Sequence, residues 1–163
     1  RLEQAEGVTL ETIPHLETFL VAAIDAALAA QNAVVAAESL GLSTVYIGAM
    51  RNNPLAVAEE LGLPPGAMAV FGLCVGYASD GIRTEVKPRL PQQAIAFQER
   101  YTVPDEPAIR AGYDVKMAAF SVRNDMTQDS WTKRVLARMG KIKSMGGRDK
   151  LVDAVKALGF PLK

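Results

Sequence analysis

"ETFLVAAIDAALAAQNAVVAAESLGL", Glu17 to Leu42, is the longest apolar stretch of the chain, and its reading decides how the rest is arranged. Its length alone would admit a membrane span of about 20 residues. Asp25, Gln31, Asn32 and Glu38 interrupt it, however, and an aspartate at a bilayer centre costs about 2.5–3.5 kcal/mol on insertion scales. The stretch therefore reads as a helix of a soluble protein, apolar nearly all round and so expected to be buried on most sides. Alanines at positions 22, 26, 29, 30, 33, 36 and 37 favour helix and leave thin faces against which another helix packs closely. Gly41 closes it as a C-terminal cap. Two arrangements satisfy this pattern: a central core helix in a monomer, or a helix shared with a symmetry mate.

Outward from that helix, "LGLSTVYIGAMRNNP", Leu40 to Pro54, sets an apolar strand-like run against a glycine, an arginine and two asparagines. The β-branched and aromatic residues of "STVYIGA" predict a short buried strand. Asn53 at the N-cap, Pro54 at the first helical position and Gly62 beyond the end predict a short helix over Pro54 to Leu61. Next, "AMAVFGLCVGYA", Ala67 to Ala78, is a continuous apolar run in which Val70, Phe71, Val75 and Tyr77 favour a strand covered on both faces. Cys74 lies inside that run and reads as packing rather than chemistry. "SDGIRTEVKPRLPQQ" is a loop by its glycine, prolines and charges. Tyr113, Met117 and Phe120 recur at helical spacing, as do Trp131, Val135, Leu136 and Met139. Asp149 to Leu158 reads as a last amphipathic helix, closed by Gly159. Strands separated by helices, with a helical tail, indicate α/β or α+β.

Composition narrows the function classes. The 163 residues suit one domain or part of one, and 49% hydrophobic with 22% charged residues is the composition of a globular chain with a sizeable core. Eighteen basic and eighteen acidic side chains cancel, so no global field recruits nucleic acid or an anionic membrane, and neither is expected as a partner. One cysteine and one histidine, Cys74 and His15, cannot form an internal disulfide or a Cys/His metal cluster, so no metal site is expected and a reducing, cytoplasmic setting fits best. The phosphate loops G-x-x-x-x-G-K-[ST] and G-x-G-x-x-G, the G-x-S-x-G elbow and the H-E-x-x-H pair are all absent from the sequence.

Two stretches remain that chemistry would explain. In "VYIGAM" a strand ends at Gly48, where the lack of a side chain lets a ligand approach backbone N–H groups, although glycines also follow strands simply to turn the chain. In "VKPRLP", Lys87 and Arg89 bracket a proline that stiffens the local backbone, which suits a phosphate or another compact anion as well as it suits a solvated loop.

Together with their order and surroundings, "AAQNAVVAAESLGLSTVYIGAMRNNP", "VFGLCVGYASD" and "KPRLP" strongly resemble the nitroreductase family, in particular its oxygen-insensitive NADPH nitroreductase and NADPH-flavin oxidoreductase branch. The resemblance runs from about Glu17 to Tyr101 and more loosely through Trp131 to the end. It implies an α+β, three-layer α/β/α fold with a central, mainly antiparallel sheet flanked by helices, in an obligate homodimer whose long shared central helix is Glu17 to Leu42. The whole chain, residues 1–163, is then expected to be a single nitroreductase-like domain. Relatives begin with an Arg-Ser-x-Arg stretch that grips the FMN phosphate and ribityl group. No such stretch stands here, so the chain is expected to be the C-terminal portion of such a protein.

The resemblance also implies a function: an FMN-dependent oxidoreductase that transfers hydride from NADPH, with NADH as a second donor, through the flavin to a small aromatic acceptor such as a nitroaromatic, a quinone or free flavin. A non-catalytic flavin-binding or dimeric scaffold of the same fold is the alternative. The positions matching Tyr46, Ile47, Gly48 and Ala49 lie against the isoalloxazine in relatives, many of which carry a second glycine where this chain has Ala49. Lys87 and Arg89 match residues at the FMN phosphate and ribityl chain. Arg123, in "SVRND", stands where relatives carry an arginine for the NADPH 2′-phosphate, with Met126, Thr127 and Gln128 in place of neighbouring basic residues. Glu17 matches a glutamate near the flavin pocket, or acts only as a first-turn acid complementing the helix dipole. No side chain is nominated as an acid, base or nucleophile, because the bond chemistry belongs to the cofactor.

Overall fold

Asn53 shows how directly local chemistry sets the elements, since its Oδ1 accepts from the Ala56 N–H at 3.2 Å and Pro54 occupies the first turn, which starts a helix at Pro54. The computed structural model describes residues 2–82, 85–126 and 130–163. Its elements are α1 (Leu2–Glu6), α2 (Leu16–Ser39), β1 (Ser43–Ile47), α3 (Pro54–Glu60), β2 (Gly72–Gly76), α4 (Glu106–Arg123), α5 (Trp131–Met139) and α6 (Leu151–Ala157), with a 3-10 turn at Gly48–Asn52. Helices combined with an antiparallel strand pair make the chain α+β. Two compact units form: Arg1–Ser79 with Gly146–Lys163, and Asp80–Met145.

In the first unit, β1 and β2 pair antiparallel with Ser43 opposite Gly76 and Ile47 opposite Gly72. Tyr46 meets Phe71 edge-on at 5.2 Å between ring centroids. The C-terminal tail anchors the start of α2, with Lys163 N donating to Pro14 O at 3.0 Å and Phe160 meeting Phe19 edge-on at 5.2 Å. α6 packs against α3, where Val155 and Ala58 are buried. Gly41, at φ +77°, ends α2 in the left-handed conformation expected of a C-terminal cap.

Three expectations change here. The strand expected over Ala67 to Ala78 is confined to Gly72–Gly76, because β1 offers only five residues to pair with. Neither strand is buried on both faces, and Cys74 is exposed rather than packed. Most markedly, α2 buries only Val34 and Ala37. Within its unit α2 meets β1 and the C-terminal tail, and Phe19, Ala22, Ala23 and Ala26 face Gly66 to Val70 across a shallow cavity, while Leu20, Ile24, Leu28 and Val35 stand exposed at spacings that form one stripe. By length and composition α2 is also apolar enough to cross a membrane.

The second unit is organised by Tyr113, Met117 and Phe120 on α4, against which Leu90 and Trp131 pack. Asp105 caps α4 through Ala108 N at 3.3 Å, and Ser130 caps α5 through Lys133 N at 3.3 Å. Asp114 of α4 accepts from Thr132 N at 2.8 Å, which ties α5 to α4. Burial pushes the Asp114 carboxyl up, but the hydrogen bonds from Thr132 and the nearby Arg110 outweigh it and hold the group below its ordinary value. The fully buried Ser121 is satisfied on both sides, donating to Met117 O at 2.8 Å and accepting from Arg134 Nη2 at 2.7 Å.

Candidate functional site

β1 carries Tyr46 and Ile47 up to Gly48, where the chain turns sharply into the 3-10 turn Gly48–Asn52 and leaves Ala49 exposed. Gly48 has a reason within the chain itself: a Cβ there would lie 3.2 Å from Arg51 Nη2. Arg51 occupies that space while donating Nη1 to the Val70 carbonyl, so it bridges the turn to the run that leads into β2. On the carbonyl side, Arg148 Nη2 donates to Gly48 O at 3.2 Å. The four residues Tyr46 to Ala49 are thus continuous, half-exposed and braced by two arginines.

The second unit holds the other predicted residues. Tyr113 Oη donates to the Pro88 carbonyl at 2.8 Å, and Leu90 packs on the α4 core. Lys87-Pro88-Arg89 is therefore pinned at its middle and its end while both cations point outward into solvent. Arg89 Nη1 reaches only the Lys87 carbonyl, at 2.9 Å. Among the described residues, neither Lys87 nor Arg89 has a carboxylate partner. This donor set fits a phosphate dianion, which two unneutralised cations in a stiff frame would stabilise.

Arg123 is placed differently. It makes a forked contact with Glu85, through Nε to Oε2 at 3.2 Å and Nη2 to Oε1 at 2.5 Å, while Asn124 Nδ2 donates to the same carboxylate at 2.9 Å. The Glu85 hydrogen bond raises the Arg123 pKa above its ordinary value, so the side chain stays cationic but already faces an acid. Thr127 and Gln128, named with Arg123 in the sequence reading, lie outside the described residues. Glu17 sits in the first turn of α2. Arg51, Arg148 and Glu85 were not legible as site residues, since their partners lie 19, 100 and 38 positions away and no local pattern announces such contacts. Among the described residues, no group of three His, Cys, Asp or Glu is placed to hold a metal.

Comparison with known proteins bears on this arrangement. A family model described as "Nitroreductase family" matches residues 5–77, and one described as "Nitroreductase family, C-terminal domain" matches residues 87–163. An FMN reductase (NADPH) of Bacillus subtilis is 36% identical over 162 residues, covering 97% of this chain and 62% of that protein. An oxygen-insensitive NADPH nitroreductase of Salmonella typhimurium is 38% identical over 121 residues, covering 73% of this chain and 49% of that one. The chain thus spans about half to two thirds of the length of these relatives. Among solved structures, the NfrA1 nitroreductase from B. subtilis superposes with a TM-score of 0.86 at 34% identity, covering 98% of this chain and 64% of that one. The NADPH:FMN oxidoreductase from Vibrio harveyi, solved in complex with NAD+, superposes with a TM-score of 0.78 at 30% identity, covering 91% and 58%. Matched in both its halves and along nearly its whole length, the chain belongs to the nitroreductase family.

Proposed function

We propose that this chain belongs to an FMN-dependent oxidoreductase that takes hydride from NADPH, with NADH as a second donor, and delivers it to nitroaromatics, quinones or free flavin. The observation that carries the reading is Lys87-Pro88-Arg89, anchored through Tyr113 Oη and presenting two exposed cations that, among the described residues, have no carboxylate partner. The names of the relatives, FMN reductase and NADPH nitroreductase, support FMN as that anion's source. When bound, FMN supplies the hydride chemistry at its N5. The chain's own residues would bind and orient it: within one unit Lys87 and Arg89 would neutralise a phosphate, and within the other the backbone of Tyr46, Ile47, Gly48 and Ala49 would offer hydrogen bonds to a flavin ring. Arg123 receives the 2′-phosphate of NADPH in competition with Glu85.

Residues 1–163 are read as one nitroreductase-like domain, a reading supported by two family models that together span both compact units. The exposed stripe of Leu20, Ile24, Leu28 and Val35 on α2 supports a homodimer through that helix, since a contiguous apolar face of this kind marks an interaction surface. The cancelling charge and single cysteine support a cytoplasmic protein acting on small molecules, without nucleic acid or membrane as partner.

Steady-state kinetics test the reading. In the full-length protein supplied with FMN, NADPH oxidation should depend on a nitroaromatic or quinone acceptor and give the parallel-line pattern of a two-stage reaction. Absence of FMN-dependent NADPH oxidation with every acceptor would overturn it.

A further inference from the structure

The turn at Gly48–Asn52 is backed by a segment far away in the sequence. Gly147 and Arg148 come up against it, and the approach depends on the missing side chain of Gly147: at φ +92°, a Cβ there would lie 2.6 Å from the Asn52 carbonyl oxygen. The closeness delivers Arg148 Nη2 to the Gly48 carbonyl at 3.2 Å. Arg148 Nε is buried beside it, so part of this guanidinium is withdrawn from solvent, where a contact between a cation and a carbonyl is electrostatically stronger than in water.

We infer that Arg148 is a positioning residue for the peptide joining Gly48 and Ala49, fixing its plane and strengthening the Ala49 N–H as a donor. The inference rests on the reading of that peptide as a flavin contact. A cation held on a peptide carbonyl draws electron density toward the oxygen, and the N–H across the same peptide becomes a better donor through the same polarisation that makes hydrogen-bond chains cooperative. A stronger donor at the ring favours the electron-rich reduced flavin over the oxidised one. Arg148 therefore sets the preference of the site for reduced FMN while lying behind the backbone rather than against the ring.

The test uses the full-length, FMN-loaded protein. The midpoint potential is measured by spectroelectrochemistry, and oxidised FMN is titrated in parallel. Arg148→Ala should lower the preference for reduced over oxidised FMN about threefold to tenfold, the range for loss of one hydrogen bond. At 29.6 mV per decade for a two-electron couple, that is a potential about 15–30 mV more negative. Arg148→Lys, which keeps a cation, should recover most of the shift, and Gly147→Ala, which pushes the segment off the turn, should reproduce it. Without FMN, the Ala49 amide resonance should move in Arg148→Ala and return toward its original position in Arg148→Lys. A potential unchanged in Arg148→Ala and Gly147→Ala, with FMN still bound, would overturn the inference even if both variants melted at lower temperature. Failure of the unsubstituted protein to bind FMN would instead overturn the flavin reading, and this inference with it.

Discussion

Tyr113 donates its hydroxyl to the Pro88 carbonyl at 2.8 Å, so a core residue of α4 holds the middle of the Lys87-Pro88-Arg89 segment from within its own unit. The ring also packs edge-on against Trp131 at 5.6 Å between centroids, which fixes the direction of the hydroxyl. Tyr113→Phe keeps the ring and deletes the hydrogen bond. The expected cost is about 0.5–1.5 kcal/mol of stability, read by urea denaturation, together with weaker FMN binding and unchanged riboflavin binding. Unaltered stability and FMN affinity would show that Pro88 is held by other means.

Arg89→Ala acts on the anion directly. Loss of one charge-assisted partner, worth about 1.5–3 kcal/mol, should raise the FMN dissociation constant about 10- to 150-fold. Riboflavin lacks the phosphate, so its affinity should change far less. Comparing the two by fluorescence titration separates a local contact from general loosening of the fold, which would weaken both alike. Equal losses, or no loss for either, would remove Arg89 from the site.

Glu85 stands against Arg123 as an internal competitor for a nucleotide phosphate. The pair is solvent-exposed, and exposed pairs hold their partners only weakly. Glu85→Gln should accordingly tighten NADP+ binding about 1.5- to fivefold and leave NAD+ unchanged, as read by calorimetry. Tightening of both dinucleotides to the same degree would mean that Arg123 does not meet the 2′-phosphate.

Ala29 and Ala33 lie exposed on α2 within this chain. If that face packs closely on a second copy, replacing either with leucine overpacks the contact and weakens the dimer by about 1–3 kcal/mol. Sedimentation equilibrium measures the change. Unaltered self-association in both variants would contradict a shared helix.

Which parts of the molecule were legible in its sequence follows from the range of the interactions involved. The start of α3 was readable because Asn53 and Pro54 act within one turn, and the core of the second unit because Tyr113, Met117 and Phe120 repeat on one face of one helix. The extent of β2 was not, since an apolar run does not reveal where its pairing partner ends. The exposure of Cys74 and of the α2 stripe was equally hidden: composition says that a face is apolar, while what covers it is decided by segments elsewhere. Gly48 illustrates the same limit at the site. Its bareness reads in the sequence as room for a ligand or for a turn, and the structure places the Arg51 guanidinium beside it, 3.2 Å from where a Cβ would stand.

A flavin held by the chain's residues must accept hydride if the protein is an oxidoreductase. The most direct measurement is the visible flavin absorption of the FMN-loaded protein under anaerobic conditions, followed on addition of NADPH and then of a nitroaromatic or quinone. The account predicts that NADPH bleaches the band and that the acceptor restores it. A band left unbleached by both NADPH and NADH would contradict the account and identify the protein as a non-catalytic flavin-binding scaffold.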